Sequence, residues 1–333
     1  MRLVFAGSPQ IAVPTLQALV KQQLEDGGME VVAVLTNPDS RKGRKSNWEP
    51  TEVGAAAEVL RETLQNRGYR PFVILKPEKL DGSVREVIAT LNPDLLVSYA
   101  YGHIFGPKFL GLFPKGGINI HPSLLPKYRG AAPIPAVILN RERETGITIQ
   151  TLAPKMDAGD ILIQERLPLS GRETTESLSH WAAQRGAELL LPVLRSLAEG
   201  TLQGIPQNDA EATYCSIISK EDGWINWNDR ALDIDAKIRS YRPWPLCATH
   251  HAGQTLYILE AFPILRPEEE LMSPLTESAN PGTVLGVDKK AGILVQTGEG
   301  LLAVQRLQYA TKKALDWASF LNGAKQFIGS KLE

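Results

Sequence analysis

Cysteine and long apolar runs are the main absences from this sequence. Two cysteines, Cys215 and Cys247, occur among 333 residues, with neither a C-x-x-C pair nor a zinc-ligand spacing, which favours a reducing compartment over a disulfide-linked secreted scaffold. Charge or proline interrupts each apolar stretch well before the roughly 18 residues that a membrane span needs. The five histidines offer no cluster of metal ligands. We therefore expect a cytoplasmic protein without membrane contact or bound metal.

An excess of charge of either sign is missing as well. The chain contains 36 Lys+Arg and 37 Asp+Glu, for a net charge of −1, so an anionic partner would have to meet a local basic patch. A Gly7-Ser8-Pro9 turn follows the first strand-like run, but neither the dinucleotide fingerprint G-x-G-x-x-G nor the phosphate loop G-x-x-x-x-G-K-[ST] is present. These absences disfavour a dehydrogenase and an ATPase.

The apolar content suffices for two domains. Hydrophobic residues make up 43% of the chain, and a domain usually has roughly 100–200 residues. In the first half, short apolar runs alternate with segments of helical periodicity, which is typical of an α/β fold whose parallel sheet is covered on both faces. Strands are predicted at 2–6, 31–35 and 94–99, and helices at 11–20 and 82–91.

Later segments are predicted to extend the sheet and complete a first domain, 1–199. A helix begins near Thr174 and ends near Gly200, with a break or restart at Pro192. The additional strands lie at 117–120, 148–152 and 161–164.

A polar stretch with Gly and Pro at 200–212 is the predicted linker to a second domain, 213–333. There, a helix at 231–241 precedes short strands that Gly and Pro separate, a spacing that indicates a small antiparallel barrel. These strands are predicted at 255–259, 282–287, 292–296 and 301–307.

Asn119 and His121 stand two residues apart near the end of a predicted strand, so both side chains point to the same face. Pro122 should end that strand and leave His121 at the carboxyl edge, where open parallel sheets bind ligands. An amide there can donate to a developing oxyanion while an imidazole handles a proton, as acyl transfer requires. An isolated Asn-x-His would be interpreted as a plain strand end. The Pro- and Gly-rich loop that follows favours the functional interpretation.

Asp157 lies in the segment MDAGDI, residues 156–161, between two strand-like runs. One interpretation is an aspartate that caps a tight glycine turn. The other is a carboxylate that holds the His121 ring and stabilises its protonated form, like the third member of a triad. No serine or cysteine occupies a strand-to-helix elbow, so we expect no covalent intermediate and an attacking amine supplied by the substrate.

Four cations fall within five residues at 41–45, in a loop that follows the second predicted strand. Such a run is often only a solvated charge cluster. Its place on the same carboxyl edge as His121 instead suits a polyanionic substrate whose phosphates it would contact. The four cations are Arg41, Lys42, Arg44 and Lys45.

These segments resemble the methionyl-tRNA formyltransferase family over essentially the whole chain. The Asn-x-His and Asp-x-Gly pair alone would indicate only the wider group of folate-dependent formyltransferases. The resemblance is narrowed to the family that acts on tRNA by the basic loop, the chain length and the second domain. The matching segments are VFAGSP at 4–9, TNPD at 36–39, NIHPSLLPKYRGAAPI at 119–134, MDAGDI at 156–161, Ile-x-Trp at 225–227 and RPWP at 242–245.

The resemblance implies a Rossmann-like catalytic domain, an OB-like C-terminal domain that helps to hold tRNA, and formyl transfer from 10-formyltetrahydrofolate to the methionine amine of initiator methionyl-tRNA. It implies a catalytic trio of Asn119, His121 and Asp157, and a basic loop, centred on Arg44, that enters the acceptor stem. The residues that match the folate-contacting loop are Ser123, Leu124, Leu125 and Pro126. We expect the protein to be a monomer.

Two other functions remain open at this point. A formyltransferase for a sugar amine would use the same catalytic residues without needing the basic loop or the second domain. A noncatalytic RNA-binding module would not require Asn119, His121 and Asp157 to meet at one strand edge.

Overall fold

The computed structural model describes residues 1–42, 47–264, 279–324 and 326–333. The chain divides into two compact units, each assembled from separate stretches of sequence. The first comprises Met1–Pro133, Glu144–Pro168 and Leu178–Ser216, and the second comprises Ile134–Arg143, Leu169–Ser177 and Ile217–Glu333. The domain limits 1–199, 200–212 and 213–333 stay a prediction.

As far as residue 216, helices separate most of the successive strands. The elements are β1 Arg2–Gly7, α1 Val13–Asp26, β2 Glu30–Leu35, β3 Ser40–Lys42, β4 Asn47–Glu49, α2 Glu52–Asn66, β5 Val73–Leu75, α3 Gly82–Thr90, β6 Leu95–Tyr99, α4 Pro107–Leu110, β7 Gly117–His121, β8 Arg129–Gly130, α5 Pro133–Leu139, β9 Glu144–Thr151, β10 Ile161–Pro168, α6 Thr175–Glu199 and β11 Tyr214–Cys215. The strands predicted at 2–6, 31–35 and 94–99 correspond to β1, β2 and β6.

Seven strands form the central sheet of the first unit, in the order β10-β9-β7-β6-β1-β2-β5. From β7 to β5 all neighbouring strands are parallel. The exceptions are β9, which is antiparallel to β7, and β10, which is antiparallel to β9. The predicted α/β fold with a mostly parallel sheet is therefore confirmed, and the carboxyl ends of its five parallel strands share one edge.

Helix α6 runs without a break from Thr175 to Glu199, with Pro192 inside it. The predicted break or restart at Pro192 is therefore wrong. Apolar side chains on both sides of the proline are buried and hold the two halves of the helix in line, which outweighs the loss of one backbone hydrogen bond. These side chains are Leu189, Leu190, Val193 and Leu194.

The second unit is a smaller, antiparallel β-rich structure, as predicted. Its described elements are α7 Ala231–Ser240, β12 Cys247–His251, β13 Gln254–Ile264, β14 Val284–Asp288, β15 Gly292–Gln296, β16 Leu301–Tyr309, β17 Leu315–Asp316 and α8 Trp317–Gly323. The strand order is β12-β13-β16-β15-β14, with β17 paired to β16, and each pairing is antiparallel. Closure of this sheet into an OB-like barrel stays a prediction.

Candidate active site

Strand β7 brings Asn119 and His121 to the carboxyl edge of the sheet. On one side Asn119 is level with Ser98 of β6. On the other, β9 places Gln150 opposite Asn119 and Thr148 opposite His121. Residues directly opposite in an antiparallel pair share a face. The strand register therefore collects an amide, an imidazole and a second amide on one face, at the point where β7 ends before Pro122.

The His121 ring is held by a backbone carbonyl. His121 is 4% exposed, and its Nε2 lies 2.8 Å from the carbonyl oxygen of Tyr128. A carbonyl can only accept, so Nε2 carries the proton and Nδ1 is left with its lone pair. Tyr128 has φ 60, a left-handed conformation that a bulky residue adopts only where its surroundings impose it. The Tyr128 carbonyl thus sets the tautomer of His121, and no side-chain pattern predicted this contact.

Asp157 faces the free nitrogen of this ring. Its Oδ2 lies 3.7 Å from His121 Nδ1, too far for a hydrogen bond but close enough to stabilise a positive charge on the ring. Asp157 has φ 52, a conformation that aspartate tolerates in a turn. Its Oδ2 accepts from the Gly130 amide at 2.8 Å, and its Oδ1 accepts from Gln150 Nε2 at 3.0 Å. The carboxylate is therefore fixed from two sides.

The side-chain amide of Asn119 has no hydrogen-bond partner among the described residues, although its strand is largely buried. An amide that is partly shielded from water and has no internal partner is suited to bind a polar atom of a ligand. The structure thus brings Asn119, His121 and Asp157 together, as predicted, while their roles stay a prediction.

The segment 123–126 forms a tight loop directly after His121. Ser123 is fully buried, and its hydroxyl donates to the Lys127 carbonyl at 2.8 Å. The Leu125 side chain is buried, whereas Leu124 and Pro126 are half-buried. The hydroxyl of Ser123 thus shapes the loop. A folate molecule would meet the half-buried side chains of Leu124 and Pro126 and the backbone of the loop, a contact that stays a prediction.

Strands β3 and β4 pair antiparallel as a hairpin, and Arg41 and Lys42 of the predicted basic loop lie on β3. The Arg41 guanidinium lies 5.7 Å from the centre of the Trp48 ring, and this tryptophan is 68% exposed. Arg44 and Lys45 lie outside the described residues, as does the side chain of Lys42. The hairpin follows β2, whose carboxyl end is at the same sheet edge as that of β7.

Sequence reasoning missed the polar side chains behind Asp157. Gln150 is 1% exposed, and it lies in the segment 148–152, which was predicted only as a strand and not as part of the site. Gln207, which donates to the carbonyl oxygens of Asp157 and Gly159 at 2.9 and 2.6 Å, was hidden in the predicted linker. The alternation of Ile147 and Ile149 with Thr148 and Gln150 along β9 was the one available signal.

The only thiol near Asp157 among the described residues is not activated. Cys215 Sγ lies 3.3 Å from the Arg129 carbonyl. Burial raises the pKa of the Cys215 thiol, and the negative charge of Asp157 raises this pKa further. A protonated thiol is a poor nucleophile, which agrees with a reaction that has no covalent intermediate.

No group of three or more potential metal ligands is found in the described part of the chain. A search of the same residues for a helix long and apolar enough to span a bilayer is also negative.

Two family models match the chain. The model described as formyl transferase covers residues 1–194, and the model described as formyl transferase, C-terminal domain, covers residues 217–325. The methionyl-tRNA formyltransferase of Treponema denticola is 45% identical over 336 residues, with 100% of both chains covered. That of Treponema pallidum is 40% identical, with 100% of this chain and 99% of the relative covered.

Solved structures share the fold at lower identity. HypX from Aquifex aeolicus, in complex with tetrahydrofolic acid, matches with a TM-score of 0.61 and 16% identity over 98% of this chain and 48% of its own. The sugar 3N-formyl transferase WlaRD, in the presence of dTDP and 5-N-formyl-THF, matches with a TM-score of 0.61 and 19% identity over 94% of this chain and 99% of its own.

Proposed function

The chain belongs to the formyl transferase family, and from this premise we propose that it transfers the formyl group of 10-formyltetrahydrofolate to the amino group of initiator methionyl-tRNA. The observation that carries the proposal is the 45% identity to the Treponema denticola methionyl-tRNA formyltransferase, because the match covers the whole of both chains. It therefore includes the C-terminal domain as well as the segments that contain Asn119, His121 and Asp157. The product is N-formylmethionyl-tRNA, the aminoacyl-tRNA that initiates translation.

The chemistry assigned to the site is acyl transfer without a covalent enzyme intermediate. The donor supplies the formyl carbon, and the methionyl amine is the nucleophile. The amide of Asn119, which has no hydrogen-bond partner in the described part of the chain, donates a hydrogen bond to the formyl oxygen as negative charge develops on it. His121 takes a proton at Nδ1, because Nε2 is already committed to the Tyr128 carbonyl.

Asp157 stabilises the imidazolium that results, since its Oδ2 is 3.7 Å from Nδ1. This interaction is worth more in a shielded site than in water, because the local dielectric constant is lower. His121 then returns the proton to the departing folate nitrogen, so the chain ends the cycle in its starting protonation state.

We assign the acceptor stem of the tRNA to the β3–β4 hairpin and to the basic residues of the 41–45 segment. Arg41 beside the exposed Trp48 offers a cation and a flat aromatic surface, a combination that suits both phosphates and bases. The C-terminal unit would hold another part of the same tRNA. We further propose a cytoplasmic location, which two free thiols favour, and a monomeric state.

The test is a formyl-transfer assay with purified protein and 10-formyltetrahydrofolate. The acceptors compared are initiator methionyl-tRNA, uncharged tRNA, free methionine and a dTDP-linked amino sugar. We expect N-formylmethionine to be released from the charged tRNA after mild base treatment, with far less product from the other acceptors. Faster transfer to the amino sugar would replace this proposal with a sugar formyltransferase. Light scattering of the same sample tests the monomeric state.

A further inference from the structure

We propose that Gln207 is a positioning residue for Asp157, connected to it by a one-way chain of hydrogen bonds that starts at the buried Arg129. The inference rests on the proposed roles of Asp157 and His121. It assigns a function in the reaction to a segment, 200–212, that was predicted to be only a linker.

The order of donors and acceptors in this chain is fixed by chemistry. The guanidinium of Arg129 can only donate, so the atom of Gln207 that receives its Nε and Nη2, at 3.0 and 2.8 Å, must be the carbonyl oxygen Oε1. The Gln207 amide nitrogen then faces the other way. There it meets the Asp157 and Gly159 carbonyl oxygens and, at 3.1 Å, Gln150 Oε1.

Gln150 continues the series of hydrogen bonds that donate towards Asp157. Because its Oε1 accepts from Gln207, its Nε2 is turned towards Asp157 and donates to Oδ1 at 3.0 Å. Each group from Arg129 to Asp157 therefore donates towards the carboxylate. A polar chain of this kind fixes each side chain in one rotamer and polarises every bond in the same sense.

Arg129 is the immobile first member of this series of hydrogen bonds. It is the largest fully buried side chain among the described residues, and its Nη2 forms an ion pair with Asp209 Oδ1 at 2.7 Å. Its Nη1 donates to the Tyr214 hydroxyl at 3.2 Å. A buried arginine needs hydrogen-bond partners on several sides, so Arg129 holds Gln207 and Asp209 in place within the first unit.

These hydrogen bonds control the position of the Asp157 carboxylate relative to His121. Gln207 binds the backbone of the turn, and Gln150 binds the carboxylate oxygen that does not face the ring. Together they set how closely Oδ2 approaches His121 Nδ1. A displacement of about 1 Å at such a contact can lower a rate by about 10²-fold.

Two substitutions at Gln207 test this inference. Gln207→Glu keeps an acceptor for Arg129 but turns an oxygen instead of a donor towards Asp157. Gln207→Met keeps the volume without a donor or a charge. For both we expect kcat to fall about 10- to 100-fold while KM for each substrate changes less than about threefold. The matched control is Gln308, whose amide also donates to a backbone carbonyl, that of Lys312 at 2.7 Å. Gln308→Glu and Gln308→Met should retain wild-type kcat.

A double-mutant cycle separates positioning from simple structural support. In an Asp157→Ala background there is no carboxylate to position, so adding Gln207→Met should lower kcat by less than about threefold further. Losses that multiply in the double variant would show that Gln207 acts elsewhere and would overturn the inference. So would an unchanged kcat in both single variants at equal thermal stability.

An NMR measurement decides the inference without relying on activity. The ring nitrogen signals of His121, identified by their loss in His121→Ala, should move in Gln207→Met in the same direction as in Asp157→Ala. Unchanged signals would overturn the inference. Failure of the wild-type protein to formylate any amine would refute the proposed function alone, and the NMR result would still decide the role of Gln207.

Discussion

At the scale of single residues, the two nitrogens of the buried His121 ring have different roles. Nε2 donates to the Tyr128 carbonyl, and Nδ1 is open towards Asp157. Replacing the ring therefore removes the proton acceptor and also removes one donor to the buried Tyr128 carbonyl, which Cys215 Sγ approaches at 3.7 Å. The first loss should affect turnover, and the second should affect stability.

His121→Ala should lower kcat by about 10²–10⁴-fold, the usual contribution of a general acid–base group. His121→Gln is the control for stability, because a glutamine amide can still donate to Tyr128 but cannot take up a proton. We expect both variants to be equally slow, with His121→Gln the more resistant to thermal unfolding. Steady-state formyl transfer and a thermal melt check this. Activity within threefold of wild type in either variant would contradict the role of His121.

Asn119→Ala should lower kcat by about 10²–10³-fold if the amide donates to the oxyanion. Asn119→Asp should be at least as slow, because a carboxylate of the same size accepts and cannot donate. Single-turnover kinetics at saturating donor measure this step directly. A higher KM for the folate donor with unchanged kcat would make Asn119 a ground-state binding residue.

The two thiols should be nearly inert in the folded protein. Burial raises the pKa of Cys247 to about 12, which leaves a thiolate fraction of about 10⁻⁴ at pH 8. Burial also raises the pKa of Cys215. Ellman's reagent should therefore react slowly with the native protein and rapidly with both thiols in guanidinium chloride. The Cys215→Ala variant isolates Cys247, and a rapid native reaction in that variant would contradict its burial.

At the scale of elements, an ion pair joins helix α6 to the edge strand β10. Arg185 Nε and Nη2 each lie 2.6 Å from one carboxylate oxygen of Glu165, a two-pronged geometry. These hydrogen bonds lower the pKa of Glu165 from its usual 4.5, against an opposing effect of burial. A carboxyl whose pKa is lower in the folded state stabilises the protein above the unfolded pKa, and this contribution is lost as the pH falls through the folded pKa.

The Glu165→Gln variant should accordingly be less stable than wild type above about pH 5.5, by an amount that does not change with pH. Below about pH 4.5 the difference should shrink, because the wild-type carboxyl becomes protonated as well. Melting temperatures of the two proteins across this range measure the effect, with Glu62→Gln on helix α2 as a control for net charge. A gap that widens towards acid pH would contradict the assignment.

The predictable elements were those with a strong local signal. Strands β1, β2 and β6 are runs of buried apolar residues, and Pro122 marks the end of β7, so the sheet edge and its Asn119–His121 pair followed from local sequence. Strand β5 is an apolar run of only three residues, none of them buried, which is too short for the local pattern to distinguish a strand from a loop. At Pro192 the local rule failed because long-range burial on α6 outweighed it.

The supporting residues of the site could not be found in this way. Tyr128 contributes a carbonyl through an unusual backbone conformation, and backbone atoms leave no mark in side-chain patterns. Gln207 reaches Asp157 across 50 positions of sequence from a stretch whose composition is typical of a linker. Such contacts depend on tertiary structure, and one sequence contains no record of them.

At the scale of the whole molecule, positive and negative charges nearly balance. A net charge of −1 cannot attract a polyanion over long distances, so affinity for tRNA has to come from cations gathered at particular places. The hairpin cations at 41–45 are such a group. They follow β2 in the sequence, and β2 ends at the carboxyl edge of the sheet, whereas Arg67 and Arg70 follow α2 and precede β5, at the amino edge.

One experiment can therefore distinguish the effect of these local cations on tRNA affinity from the effect of net charge. If Arg44 and Lys45 each contact a tRNA phosphate, the slope of log affinity against log salt should become shallower by about 0.7–0.9 for each cation removed. Arg44→Ala/Lys45→Ala should therefore lose about 1.4–1.8 of slope. Arg67→Ala/Arg70→Ala, which makes the same change in net charge at the opposite edge, should keep the wild-type slope. Binding of tRNA at four salt concentrations, with folate binding as the check on folding, measures all three proteins. Parallel slopes for wild type and the hairpin variant would assign tRNA selection to the second unit, because the hairpin cations would then be only solvated charges.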